Sequence, residues 1–276
     1  MNKKLLILAV IVAFLVTFSG CAKVSVVTND PGPKVIEINV PNNTEKPKVE
    51  NPPVVEKPPV VASDAIPAKV DWPVTFGTQA PTKNWSLPYQ EACEEAALIN
   101  ADKYFKKEKL TYPIMNTEIL NLVDWERTTF GYYTDTSLTQ VKQMAEDYFG
   151  LNVEISQDLT VNNIKKQLTN GYLVLIPTAG RLIANPYYSG KGPLYHFLVI
   201  RGYNDTEFIT NDVGLYTKGD GYKYTYTTII NAIHDLPLNA DGTYFRPFDA
   251  KDMPDAEVAS KMLTGEKQFL IVKGVK

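Results

Sequence analysis

The sequence predicts an α+β domain of the kind in which a helical part is followed by an antiparallel sheet. Helix-period segments with capping and stop residues cluster between Glu94 and Thr169. The chain then changes to short apolar runs bounded by turn residues: Tyr172–Pro177 (YLVLIP), His196–Tyr203 (HFLVIRGY) and Gln268–Val272 (QFLIV), the pattern of buried strands. Helices first and strands afterwards argue for α+β over an alternating βαβ chain. The first quarter fits neither pattern, so the folded domain is placed at residues 66–276.

Residues 1–20 read as an export signal. Lys3 and Lys4 precede the apolar run Leu5–Val16, which is short for a mature membrane span, and small residues follow. Phe18-Ser19-Gly20-Cys21 looks like a bacterial lipobox, in which the cysteine is lipidated and becomes the mature N-terminus. This predicts a lipid-anchored protein of the cell membrane whose folded part works outside the cytoplasm. Residues 21–65 then form a tether. Pro31, Pro33, Pro41, Pro47, Pro52, Pro53, Pro58 and Pro59 alternate there with Val, Lys, Glu and Asn, which favours extended conformations over a packed core. Such a tether reaches on the order of 100 Å when extended at ~3 Å per residue.

Composition removes several function classes. A net charge of −3, with no basic patch or arginine-rich run, speaks against nucleic acid as a partner. Cys21 and Cys93 are the only cysteines, too few for a disulfide framework and without the clustered spacing of a structural zinc site. His196 and His234 are the only histidines.

Taken in order, the domain opens near Ile66–Trp72 and continues through a loop at Phe76–Pro81. In Leu87–Asn100 (LPYQEACEEAALIN) an irregular run broken by Pro88 gives way to an alanine-rich helix with Cys93 in its first turn. Unpaired N–H groups and the positive end of the helix dipole favour a thiolate there. Glu91, Glu94 and Glu95 oppose that field, because nearby carboxylates raise a thiol's pKa. Helices are expected at Glu94–Lys107, Asn116–Arg127 and Ser137–Phe149, the last capped by Thr136 or Ser137 and stopped by Gly150. Leu151–Ser156 is a strand, and Val161–Thr169 is a helix closed by Asn170-Gly171. Glu207–Asn211 pairs with His196–Tyr203 across the turn Asn204-Asp205. Tyr222–Tyr226 is a further strand and Thr227–His234 a helix.

A cysteine nucleophile needs a base, a group that orients the base, and donors for the oxyanion. His196 starts a buried strand after the loop Gly190–Pro193, and Asp212 follows the strand that pairs with it, so the two side chains can meet. Asn211 competes with Asp212 as the orienting group, and His234, next to Asp235, competes with His196 as the base. Tyr187, Tyr188, Tyr195 and Tyr203, with Trp85, either line a groove for an extended peptide or glycan or pack the sheet surface.

Cys93-Glu94-Glu95-Ala96-Ala97, the upstream Thr78-Gln79-Ala80-Pro81, the run Tyr195–Tyr203 and Ile209–Gly214 together resemble the C39-like peptidases of the papain-like cysteine-protease fold. The resemblance spans Trp72 to Leu236. It implies Cys93 as nucleophile, His196 as general base, Asp212 as orienting residue and Gln79 as oxyanion donor, with Gln90 as the competitor for that last role. Where the family often has Gly-His and Asp-Pro-Gly, this chain has Tyr195-His196 and Asp212-Val213-Gly214. No transporter domain accompanies the peptidase-like segment, so the leader-peptide substrates of transporter-fused members are not carried over. The expected activity is hydrolysis of peptide or amide bonds, in peptides or cell-wall peptide stems, without metal or organic cofactor. The competing expectation is a tethered papain-like binding module that holds a ligand without cleaving it.

Overall fold

Strand segments that are apolar at every position require a sheet covered on both faces, and that requirement explains the architecture. The computed structural model of the chain describes residues 65–276. The expected export signal, the lipobox Cys21 and nearly all of the tether lie outside the described residues. Seven strands form one antiparallel sheet: β1 (Val70–Asp71), β2 (Leu151–Ser156), β3 (Leu173–Ala179), β4 (Tyr195–Tyr203), β5 (Glu207–Asn211), β6 (Tyr222–Thr225) and β7 (Phe269–Val275). Their order is β2-β7-β3-β4-β5-β6, with β1 pairing to the end of β4. Alternation along the central strands divides the core in two. Leu173, Leu175, Phe197 and Val199 pack with helices α1 (Cys93–Lys106), α2 (Tyr112–Thr129) and α3 (Leu138–Gln143) on one face. Val174, Ile176, Leu198 and Ile200 pack with α4 (Val161–Thr169) and α5 (Tyr226–Ala232) on the other. Each fully buried Leu or Phe side chain contributes about 1.5–3 kcal/mol of burial free energy, which makes the doubly covered strands the stable frame of the domain.

The helical and antiparallel parts agree with the sequence expectation, and the departures have local causes. Helix α2 begins at Tyr112, ahead of the expected Asn116, because the Thr111 side chain accepts from the Ile114 N–H at the N-cap and Pro113 suits the first turn. Segment 137–149 does not run as one helix. It starts with a Ser137/Gln140 capping box, and α3 ends at Gln143 where the π turn Met144–Tyr148 takes over. The short β1 and the helix α6 (Asp255–Met262) were not foreseen. The α6 N-cap, Pro254, makes no side-chain cap bond, so the sequence carries no capping signal there. The last strand continues to Val275 and lies between β2 and β3, so it joins the edge strand β2 to the rest of the sheet.

One glycine is required by this topology. A Cβ on Gly202 would lie 2.3 Å from the Val70 carbonyl oxygen, so only glycine lets β1 close on β4. The expected turn between β4 and β5 forms, with the Asn204 side chain accepting from the N–H groups of Thr206 and Glu207. That turn aligns the two strands and leaves Asp212 just beyond β5.

Candidate active site

Cys93 is the first residue of α1, and its sulfur is almost wholly buried. The N-cap, Ala92, makes no side-chain cap bond to the opening N–H groups of the helix. The sulfur nevertheless does not have the environment of a free thiolate. Its S–H donates to Glu94 Oε2 at 2.9 Å, and Glu94 Oε1 accepts from the Thr136 N–H at 2.8 Å. Burial first, then the Glu94 charge and hydrogen bond and the Glu95 charge, push the Cys93 thiol well above its ordinary range, against a smaller downward pull from the Phe197 backbone. Glu94 is itself pushed up by burial and by the charges of Glu95 and Asp135. The opposition from the flanking carboxylates expected from the sequence is therefore direct contact for Glu94.

His196 lies on β4 opposite Thr178, buried, with its Nε2 2.9 Å from Asp212 Oδ1. With Nε2–H donated to the carboxylate, Nδ1 is the free acceptor. The Tyr188 ring meets the imidazole edge to face at 5.6 Å, which fixes its plane. Gly214 closes over the same ring: a Cβ there would be 2.8 Å from His196 Cε1, so only glycine fits at that point of the loop. Asp212 also accepts from Tyr224 OH at 2.6 Å, Tyr188 OH at 2.7 Å, the Gly214 N–H at 3.1 Å and the Asn185 amide at 3.3 Å. Burial alone would raise its pKa; the bonds from His196, Tyr224 and Tyr188 outweigh burial and hold the carboxyl below its usual range.

The competing residues are placed elsewhere. The Asn211 amide donates to Asn100 Oδ1 at 3.1 Å and its oxygen accepts from Arg201 at 3.0 Å, a network that ties β4 and β5 to α1. His234 Nδ1 pairs with the Gly265 carbonyl at 3.1 Å, and burial lowers its pKa. Its neighbour Asp235 bonds the Leu138 N–H at the start of α3 and the Tyr195 hydroxyl, and does not bond His234. Gln79 is buried beside the start of α1, and its backbone N–H bonds the Val213 carbonyl. Its Nε2 donates to the carbonyls of Tyr89 and Gln90 at 3.0 and 3.1 Å, while Oε1 has no partner. Gln90 bonds Glu91 at the surface.

Cys93, His196 and Gln79 line one cleft of about 970 Å³, whose rim carries the exposed rings of Trp85 and Tyr187. Tyr188 and Tyr195 also reach it, whereas Tyr203 packs in the core on the other side of the sheet. Asn185 and Tyr224 escaped the sequence reading. The one signal is that Tyr222 and Tyr224 alternate with Lys223 and Thr225 in the strand segment, which places both rings on the same side; Asn185 carries none. Among the described residues no hydrogen bond joins Cys93 to His196, and no group of acidic, histidine and cysteine side chains has the geometry to hold a metal ion.

A cysteine at a helix start and a hydrogen-bonded histidine and carboxylate on an antiparallel sheet, with the sulfur and the imidazole lining one cleft, are the groups a thiol peptidase requires. The model of the Peptidase_C39 like family matches residues 74–234. The chain belongs to that family of C39-like cysteine peptidases. No curated protein matches. Among solved structures, the chain is similar to a candidate C39-like peptidase from Bacillus anthracis, at 13% identity and TM-score 0.40, covering 75% of this chain and 99% of that one. It is also similar to xylellain, a cysteine protease from Xylella fastidiosa, at 14% identity and TM-score 0.37, covering 77% and 88%.

Proposed function

We propose that the chain is an extracytoplasmic, lipid-anchored thiol hydrolase that cleaves peptide bonds through Cys93, His196 and Asp212. The observation that carries this reading is the His196 Nε2–Asp212 Oδ1 bond, which leaves Nδ1 available as a base in the cleft that Cys93 lines. In the reaction the Cys93 thiol turns from Glu94 to His196 Nδ1 and gives up its proton. The thiolate attacks the acyl carbon, and the tetrahedral oxyanion is met by backbone N–H at the start of α1 and by the Gln79 amide once one of its carbonyl bonds is released. His196 returns the proton to the leaving amine, giving a thioester. It then takes a proton from water, which releases the acid and restores the thiol. Asp212, held ionised by its hydroxyl donors, supports the imidazolium in both halves. The reaction calls on no metal or organic cofactor.

Replacing Cys93 by alanine is expected to lower peptide turnover at least ~10³-fold with an unchanged melting temperature; full turnover by Cys93→Ala excludes the mechanism. The binding-module reading has one specific support, the thiol held by a buried carboxyl, and it predicts peptide binding without cleavage by the unmodified chain. For the anchor, Cys21→Ala is expected to move the protein from the membrane to the soluble extracytoplasmic fraction. Retention on the membrane would exclude Cys21 as the lipidated residue.

A further inference from the structure

The cleft wall on the Glu94 side carries more carboxyl groups than the thiol chemistry uses. Glu91, Glu94 and Asp135 all line it. Glu94 is engaged on both oxygens by Cys93 and Thr136. Asp135 differs. It is 7% exposed, its Oδ2 accepts from the Phe248 N–H at 2.6 Å, and its Oδ1 receives no donor from the described residues. Two cations stand near. Arg246 pairs with Asp249 through Nη2, keeps a buried Nη1 without a partner and pulls the Asp135 carboxyl downward without forming an ion pair to it. The Lys251 ammonium stands 4.4 Å from the centroid of the Phe248 ring. Asp135 thus forms no ion pair among the described residues, a costly state for a carboxylate at this depth.

We propose that Asp135 is the recognition carboxylate of a subsite for a cationic side chain of the peptide substrate, lysine-like or arginine-like, next to the scissile bond. The proposal rests on the hydrolase reading given above for what occupies the cleft. Its position follows from the bonding: Thr136, the next residue, bonds Glu94, which bonds the nucleophile. Its shape suits a long side chain with a charged end, because Pro247 and Phe248 offer apolar surface for the methylene stem leading to the carboxylate. These two residues lie beyond the segment 74–234 that matches the family, so this wall belongs to the chain's own C-terminal part. The backbone holds Asp135 at φ 45°, a conformation that Asp and Asn tolerate better than other side chains. Burial and the Glu91 charge raise the Asp135 carboxyl to about 7 against smaller opposing effects of the Phe248 N–H and Arg246. Glu94, Asp249 and Lys251 are the other charged groups around it. An incoming cation would supply the direct ion pair that Arg246 does not make.

The test measures binding separately from cleavage. In the full chain carrying Cys93→Ala, N-acetylated peptides with Lys or Arg are compared with norleucine counterparts at each position of a short library. At pH 8 one position is expected to show a preference of about tenfold for the cation, about 1.4 kcal/mol. Asp135→Asn, which keeps the shape and the Phe248 bond, is expected to reduce that ratio to near one while norleucine binding holds. Equal binding of Lys and norleucine peptides, no binding by any peptide, or a preference that survives Asp135→Asn overturns the subsite. A preference that appears only with a free α-amine overturns its assignment to a side chain. Digestion of the preferred peptide by the unmodified chain separates the two ideas. Preference without cleavage removes the hydrolase and keeps the subsite, and cleavage without preference does the reverse.

Discussion

The two halves of the site are built on opposite electrostatic plans. On the sheet side, Asp212 collects donors from His196, Tyr188, Tyr224, Asn185 and Gly214, and its pKa stays low although it is buried. On the helix side, Cys93 and Glu94 share one hydrogen bond among further buried carboxyls, and both are pushed toward their protonated forms. The difference teaches where organisation has been completed. In the proposed mechanism, His196 and Asp212 are fixed in place before any substrate arrives. The Cys93 thiol is pushed toward its neutral form, and under that proposal it would have to exchange its carboxyl partner for the imidazole to become reactive.

Because the sheet half depends on a charge as well as on geometry, Asp212→Asn gives the largest effect expected short of removing the sulfur itself. The amide keeps the shape and leaves the hydroxyl donors within reach, but it cannot stabilise an imidazolium. A loss of about 10³-fold in kcat is expected, with little change in KM. A loss under tenfold would mean that the fixed half contributes only structure.

The frame of this site was legible in the sequence, and its charge balance was not. The helix start at Cys93 follows from Pro88 and the alanine-rich run after it, and the meeting of His196 with Asp212 follows from strand pairing through Asn204-Asp205. Both are local patterns with a short-range physical cause. The donors that Asn185, Tyr188 and Tyr224 give to Asp212 come from two separate segments, the loop carrying Asn185 and Tyr188 and the strand carrying Tyr224, and only the folded chain brings them together. The same holds for Glu94, whose partner Thr136 arrives from the start of another helix, and for Asp135, whose carboxylate meets Phe248 from the chain's C-terminal part. Asn211 stayed a rival of Asp212 because a one-residue shift in a strand turns a side chain to the opposite face.

The helix half can be tested by removing its opposing charge. Glu94→Gln keeps an oxygen for the Thr136 N–H but cannot carry a negative charge beside the sulfur. Cys93 should then ionise at lower pH, and iodoacetamide labelling near neutral pH should accelerate roughly tenfold. An unchanged pH profile of labelling would show that burial alone holds the thiol neutral and that Glu94 is a structural neighbour.

The smallest expected effect lies beneath the helix, where the same plan continues away from the cleft. Glu95 of α1 and Glu126 of α2 are buried carboxyls that act on one another's titration, and neither Glu126 oxygen has a conventional donor among the described residues, so the two are expected to share a proton. Burial comes first among the causes that raise both well above their ordinary value of 4.5, and Asp235 is raised by burial as well. A carboxyl raised in the folded state binds more protons than its unfolded counterpart. Its contribution is therefore complete below the unfolded value and is lost as pH rises toward the folded one. Asp212 has the opposite sign, but its window lies at the acid end, below its ordinary value of 3.8. Between pH 5 and pH 8 the raised group dominates, so the melting temperature should fall as pH increases. Glu126→Gln replaces the shared proton by a permanent N–H donor to Glu95. Thermal denaturation at pH 8 should then show a gain of about 2–4 °C and a flatter dependence on pH. A variant with the same slope as the parent would mean that Glu95 and Glu126 do not share a proton, and that the pH sensitivity of the fold arises in the carboxyls of the cleft.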